Sequence, residues 1–208
     1  MKETYKILRN VISNDICDYA ATEMEIFSGI VKLYEPNGGQ VNGLDNTFSS
    51  YGTPCMETLS LHLQPLIEKE VGKLLYPSYS YGRIYYPGSE LTRHFDRRSS
   101  EYTLSCCVHK DQEDWLLVIE DVNTGEITEV LLEKGDVLLY QGRVHAHWRP
   151  GKFKGQKQTQ IFIQYVDANG DSKDLKWDTR PMLGLPWGFV QQYVKDEIEY
   201  VKEKSKNV

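Results

Sequence analysis

Thr92-Arg93-His94-Phe95-Asp96 sets an imidazole and a carboxylate two residues apart. On a strand or strand edge, residues at i and i+2 point the same way, so one ring nitrogen and one carboxylate oxygen reach a single cation. Two such ligands call for a third. A neutral His from elsewhere completes a facial set of two histidines and one carboxylate, which leaves the opposite face of a ferrous ion open to a chelating co-substrate and O2. His147 is the candidate. His145 is its rival, because strand alternation puts both on one face. The chain also carries a decoy, His109-Lys110-Asp111, which runs into Gln112-Glu113-Asp114. Such a charged cluster is expected of a solvated hairpin turn.

The elements that must position these ligands follow from periodicity. Tyr5 to Val11 reads as a short strand. Ser13 then caps a helix whose apolar positions Ile16, Ala20, Met24 and Phe27 form a core-facing stripe. Residues 36–43 are rich in Gly and Asn, hence a loop, and the region 36–54 is long enough to act as a lid or a plain surface connection. A second helix is expected from Met56 to Leu75, with Leu59, Leu63, Leu66 and Ile67 on one face, His62 exposed, and Pro65 kinking or restarting it. From Tyr79 the period becomes two: Tyr79, Tyr81, Arg83 and Tyr85 alternate up to the Pro87-Gly88 turn.

Strands are then expected at Tyr102 to Val108, Trp115 to Glu120, Ile127 to Leu132, Val137 to Tyr140, Val144 to Trp148 and Gln158 to Val166. The breaks between them are full of turn formers. Many short strands without intervening helices argue an antiparallel barrel or sandwich, and a jelly roll is the economical form. Four strands separate Asp96 from His147, the number such a roll needs before the chain returns beside its starting strand, whereas the decoy at His109 leaves three. Asp167-Ala168-Asn169-Gly170-Asp171 imitates a calcium loop, but Ser172 stands where Gly is needed and Asp178 where Glu is, so it reads as a turn. Trp187 to Lys204 reads as a closing helix with Val190, Val194, Ile198 and Val201 buried.

At 208 residues the chain is one domain's worth: helical support over 1–77, a jelly-roll core over 78–167, and a C-terminal loop and helix over 168–208. A net charge of -6 gives no overall attraction to nucleic acid or anionic lipid. The N-terminus shows no signal-type apolar run and no stretch reaches membrane-spanning length, so a cytoplasmic location is the expectation. Four cysteines, two of them adjacent at Cys106 and Cys107, do not make a disulfide framework. Arg93, Arg97, Arg98, Arg143 and Arg149 crowd the metal-ligand segments of an acidic chain. They offer an anionic substrate a positive mouth, with Arg97 and Arg98 foremost, or they pair locally with neighbours such as Glu90 and Glu101.

Tyr85-x-x-Gly88, His94-x-Asp96, His147-Trp148-Arg149 and Gly155-Gln156-Lys157 together resemble the iron(II)- and 2-oxoglutarate-dependent dioxygenases, in particular the branch similar to prolyl 4-hydroxylase catalytic domains. The likeness covers roughly residues 79–167. It implies a double-stranded β-helix (jelly roll, cupin-like) with flanking helices, and it decides for His147 over His145. It further implies a basic residue about ten positions beyond the distal His to grip 2-oxoglutarate. Lys157 stands there, with Arg149 as the fallback and Tyr85 as a further donor to the same carboxylate. The implied reaction uses Fe(II), 2-oxoglutarate and O2 to hydroxylate an unactivated C–H bond of a small-molecule or peptidyl substrate, releasing succinate and CO2. A non-catalytic cupin-like metal- or ligand-binding module is the alternative, and it would not need a keto-acid anchor.

Overall fold

The computed structural model describes residues 5–34 and 46–197. Ten strands form two antiparallel sheets. In chain order they are β1 (Tyr5–Leu8), β2 (Thr47–Tyr51), β3 (Leu75–Tyr85), β4 (Leu91–His94), β5 (Tyr102–Lys110), β6 (Leu117–Glu120), β7 (Ile127–Val130), β8 (Val137–Tyr140), β9 (Ala146–Arg149) and β10 (Gln158–Asp167). The larger sheet runs β1-β8-β5-β10-β3-β2 and the smaller β4-β9-β6-β7. From β3 onward the chain passes back and forth between the sheets, and this winding is the expected jelly roll. Because β4 and β9 are neighbours, the first and last parts of the predicted ligand set arrive side by side.

Alternation along the strands sorts side chains into two layers. Ile84, Leu104, Cys106, Leu139, Ile161 and Ile163 point from the larger sheet toward the helices. Tyr85, Cys107, Leu138 and Tyr140 point the other way, into the space between the sheets, where they meet Leu117, Ile119, Trp115 and Phe153. The roll is therefore filled from both walls.

The helices are α1 (Asn14–Tyr34) and α2 (Pro54–Val71). In α1 the buried stripe is Cys17, Ala20, Ala21 and Met24, while Ile16 and Phe27 are 38% and 37% exposed. Ala20 and Met24 are thus buried as expected, with Cys17 and Ala21 in place of Ile16 and Phe27, and Gly82 makes the room for Met24. A Cβ there would lie 2.6 Å from Met24 Sδ and 2.8 Å from Met56 Sδ, so the bare glycine lets both methionines settle on the sheet. In α2, Thr53 caps the start by accepting the Met56 N–H at 3.3 Å and Pro54 fills the first turn. Gly72, left-handed at φ 70°, ends the helix. The helix runs through Pro65, and Leu75, expected at the helix end, opens β3 instead. His62 is exposed, as expected.

The expected loop at 36–43 lies outside the described residues. Its extension to 54 is not all loop, because Thr47–Tyr51 forms the edge strand β2. Beyond β10 the chain makes two short 3-10 turns and is helical over 192–197, with Val190 and Val194 packed on Val166 and Leu175. Ile198 and Val201 fall outside the described residues.

Candidate metal centre

β4 and β9 pair so that His94 and His147 are direct cross-strand neighbours, their ring centroids 4.2 Å apart. Asp96, just past the end of β4, sits against both: its Oδ1 is 3.9 Å from His94 Nε2 and 3.7 Å from His147 Nε2. One ligand atom from each of the three residues lies within 4.8 Å of the others, and no other such group of His, Cys, Asp or Glu occurs among the described residues.

Each ligand is oriented by a neighbour. His94 Nδ1 lies 2.8 Å from the Thr92 carbonyl and His147 Nδ1 lies 3.1 Å from the His145 carbonyl. A carbonyl only accepts, so both Nδ1 atoms carry the proton and both Nε2 lone pairs face Asp96. Burial, followed by the His147 ring, lowers the His94 pKa to about 3, with Arg83 adding a smaller push, so the imidazole is neutral at ordinary pH. Asp96 Oδ2 accepts from Thr103 Oγ1 at 3.1 Å, and the Asp96 N–H donates to the Gly142 carbonyl at 2.9 Å. Gly142 has no room for a side chain, since a Cβ would fall 2.0 Å from Asp96 Oδ2. Two neutral imidazoles, one carboxylate and oriented partners are the donor chemistry of a facial ferrous site, so these residues fit the metal. His94 is the open side, its side chain 29% exposed against 4% for His147.

The rivals are used otherwise. His145 precedes β9, in a turn where its N–H bonds to the Gln141 carbonyl, so strand alternation does not govern it. It contributes its carbonyl to His147, and its own Nδ1 is buried without a partner. In the decoy pair, Asp111 accepts the backbone N–H groups of Glu113, Gln156 and Lys157, closing the loop that leads into β10.

Lys157 does not reach between the sheets. Ile161 and Ile163 face the helices, and two-residue steps backward put Thr159 and then Lys157 on that side. The lysine Nζ accordingly pairs with Glu25 of α1. Arg149 is the buried cation instead. It shares the inward face of β9 with His147, its guanidinium lies 5.0 Å from the Trp115 ring and 6.0 Å from that of Tyr85, and one Nη donates to the Trp115 carbonyl. Its Nε has no partner, nor does the fully buried Tyr85 hydroxyl. A buried guanidinium with no acid beside it and a free Nε, next to the buried Tyr85 hydroxyl, fits the far carboxylate of a small diacid.

Arg97 and Arg98 are committed to carboxylates, although not to those expected. Arg97 donates to both oxygens of Asp178 at 2.5 and 2.6 Å, and Arg98 reaches Asp174 at 3.0 Å. In the sequence Asp178 figures only as the residue standing where a calcium loop needs Glu. It is fully buried and also accepts from Tyr51 and Ser99. Thr103 and Gly142 were also missed, because each acts only through contacts made across the barrel.

The sequence matches no protein-family model and no curated protein. Solved structures do match. HygX from Streptomyces hygroscopicus, solved with nickel, 2-oxoglutarate and hygromycin B, is 14% identical with a TM-score of 0.59, over 80% of this chain and 84% of that one. A Pseudomonas putida prolyl-4-hydroxylase is 12% identical with a TM-score of 0.59, over 79% of this chain and 92% of the other. The epimerase SnoN, in complex with Fe3+, alpha ketoglutarate and nogalamycin RO, is 12% identical with a TM-score of 0.62, over 80% of each chain. The chain therefore has the double-stranded β-helix fold of iron- and 2-oxoglutarate-dependent oxygenases. Prolyl hydroxylases are among the proteins that share it.

Proposed function

We propose that the protein is an Fe(II)- and 2-oxoglutarate-dependent oxygenase that hydroxylates an unactivated C–H bond of a small molecule. The observation that carries this reading is the pairing, on one strand, of a pre-oriented metal-ligand set at His147 with a buried guanidinium at Arg149 that no acid neutralises among the described residues. A metal-binding module without oxygenase activity has no need of the second.

His94, Asp96 and His147 would hold the iron. Arg149, two residues along β9 from His147 and hence about 7 Å away along the strand, would take the far carboxylate of 2-oxoglutarate, with the Tyr85 hydroxyl beside it. The bound group supplies coupled oxidation: one oxygen atom of O2 enters succinate as CO2 leaves, and the other enters the C–H bond. The chain's own work is positional. Thr103 holds one Asp96 oxygen and thereby fixes the other on the metal side, and the Thr92 and His145 carbonyls lock the imidazole tautomers. Tyr140, packed 4.9 Å from the His147 ring, closes the inner wall against water. HygX is solved with hygromycin B and SnoN with nogalamycin RO, which supports a small-molecule substrate over a peptidyl one.

Anaerobic addition of Fe(II) and 2-oxoglutarate should produce the weak visible charge-transfer band of a chelated keto acid. His147→Ala should abolish iron binding and the band, while His145→Ala should keep both. Absence of the band in the unaltered protein would turn the reading toward the non-catalytic module.

A further inference from the structure

Arg83 is a second inward-facing cation without a counter-charge, half-buried but with its Nε out of solvent. It projects from β3 on the inner face it shares with Tyr81 and Tyr85, with Gln160 of β10 and Ser49 of β2 as its cross-strand neighbours. Its guanidinium lies 5.2 Å from the Tyr81 ring and 5.9 Å from the Phe162 ring, and its Nε is buried with no hydrogen-bond partner. No carboxylate stands within ion-pair distance of it among the described residues.

The charge balance of the cavity carries the next step. The inner faces of β3, β5, β8, β9 and β10 present Tyr, Thr, Ser, Cys, Leu, Gln, Phe, His and Arg side chains, but no acid. A divalent ion held by one carboxylate, together with two guanidiniums, leaves more positive charge than a single dicarboxylate neutralises. An inward-facing cation met only by aromatic rings, phenol hydroxyls and neutral amides keeps its charge unneutralised until an anion joins it. Arg149 would take the co-substrate's far carboxylate; Arg83, met within the protein only by the neutral Tyr81 and Tyr85 side chains, would be left to the prime substrate.

We infer that Arg83 receives an anionic group, a carboxylate or a phosphate, on the prime substrate, and so sets the specificity of the site. This rests on the oxygenase reading above. The positive mouth expected from Arg97 and Arg98 is thereby relocated: those two are satisfied within the protein, and the free charge lies inside the roll on β3.

The test uses the anaerobic protein loaded with Fe(II) and 2-oxoglutarate, titrated with methanesulfonate, a monoanion that does not chelate iron, while the visible band is followed. In the unaltered protein the band should shift saturably. Arg83→Met should keep the band and hold 2-oxoglutarate affinity within about twofold, yet lose the methanesulfonate shift. Arg83→Lys should retain a weaker shift. The ligand-free Arg83→Met protein should also unfold at a higher temperature, because an inward-facing charge with no acid beside it has been removed; a purely structural arginine would give the opposite. The inference is overturned by a shift that survives in Arg83→Met, by no shift in the unaltered protein, by a lower unfolding temperature, or by a loss of 2-oxoglutarate affinity as large as that of Arg149→Met. A band without an anion response defeats this inference alone, whereas no band in any form defeats the oxygenase reading and this with it.

Discussion

Two pairs of inward-facing arginines divide the molecule by purpose. Arg97 and Arg180 lie toward the C-terminal segment, and each is closed by a buried acid: Arg97 on Asp178, and Arg180 on Glu57 at 2.7 Å. Arg149 and Arg83 point between the sheets, and neither pairs with an acid among the described residues. The first pair stitches loop to sheet. Residues 177–179 all adopt left-handed φ values of 54–64° without a glycine among them, a conformation that persists because Asp178 is held by Arg97, Tyr51 and Ser99. A guanidinium that a protein completes for itself is structural, and one it leaves incomplete is waiting for a ligand.

The sharpest way to break that contrast is to turn a completed arginine into an incomplete one. Asp178→Ala leaves Arg97 buried beside the Tyr79 ring with only Ser99 to accept from it. Removing one partner of a buried pair is expected to destabilise by roughly 3–5 kcal/mol, read as a lower midpoint in denaturant unfolding. A loss under about 1 kcal/mol would mean that this pair is no more structural than a surface bridge.

Arg149→Met is the converse. Here no internal ion pair is lost, so stability should hold or rise, while 2-oxoglutarate affinity falls by about ten- to a hundredfold, the worth of a charge-assisted hydrogen bond. Titration of the visible band measures the affinity and thermal unfolding the stability. A variant that keeps its affinity but unfolds early would move Arg149 into the structural group.

Gly142→Ala acts on the metal ligands rather than the arginines. Its methyl group would occupy the space of Asp96 Oδ2, so the carboxylate must turn away from Thr103 and from the metal. Iron affinity should drop by roughly ten- to a hundredfold, as when an orienting partner is lost, with the fold retained. Metal content after dialysis decides the matter.

How much of this was legible in the sequence follows from which interactions are local. The four strands between Asp96 and His147 could be counted from their turns, so the roll and the meeting of His94 with His147 were both within reach. Of the α1 stripe, Ala20 and Met24 are buried as periodicity expects while Ile16 and Phe27 are not, and the bare Gly82 on which Met24 rests lies far along the chain, invisible to helical periodicity. β2 was read as loop because Thr-Phe-Ser-Ser-Tyr carries little apolar alternation. Its burial comes from β3 alongside and the helices above. Asp178 looked like a failed calcium ligand, since nothing near it in sequence announces Arg97. Arg83 stood in plain view on the Tyr79, Tyr81, Tyr85 face, yet an unpaired charge can be recognised only once every potential partner has been placed.

Lys157 separates two ways of finding the anchor, and its expected effect is the smallest. Spacing from His147 selects it, whereas strand parity sends it to the helix side. There its ammonium meets Glu25, both side chains remain partly exposed at 29% and 45%, and solvent screens the pair. Lys157→Ala should therefore change stability by about 0–1 kcal/mol and leave the 2-oxoglutarate titration where it was. If affinity instead fell as far as in Arg149→Met, Lys157 would have to leave Glu25 and swing inward when the co-substrate binds. The strand that carries it would then be remodelled by the ligand, and the sorting of arginines by their partners in the ligand-free protein would no longer identify the anchor.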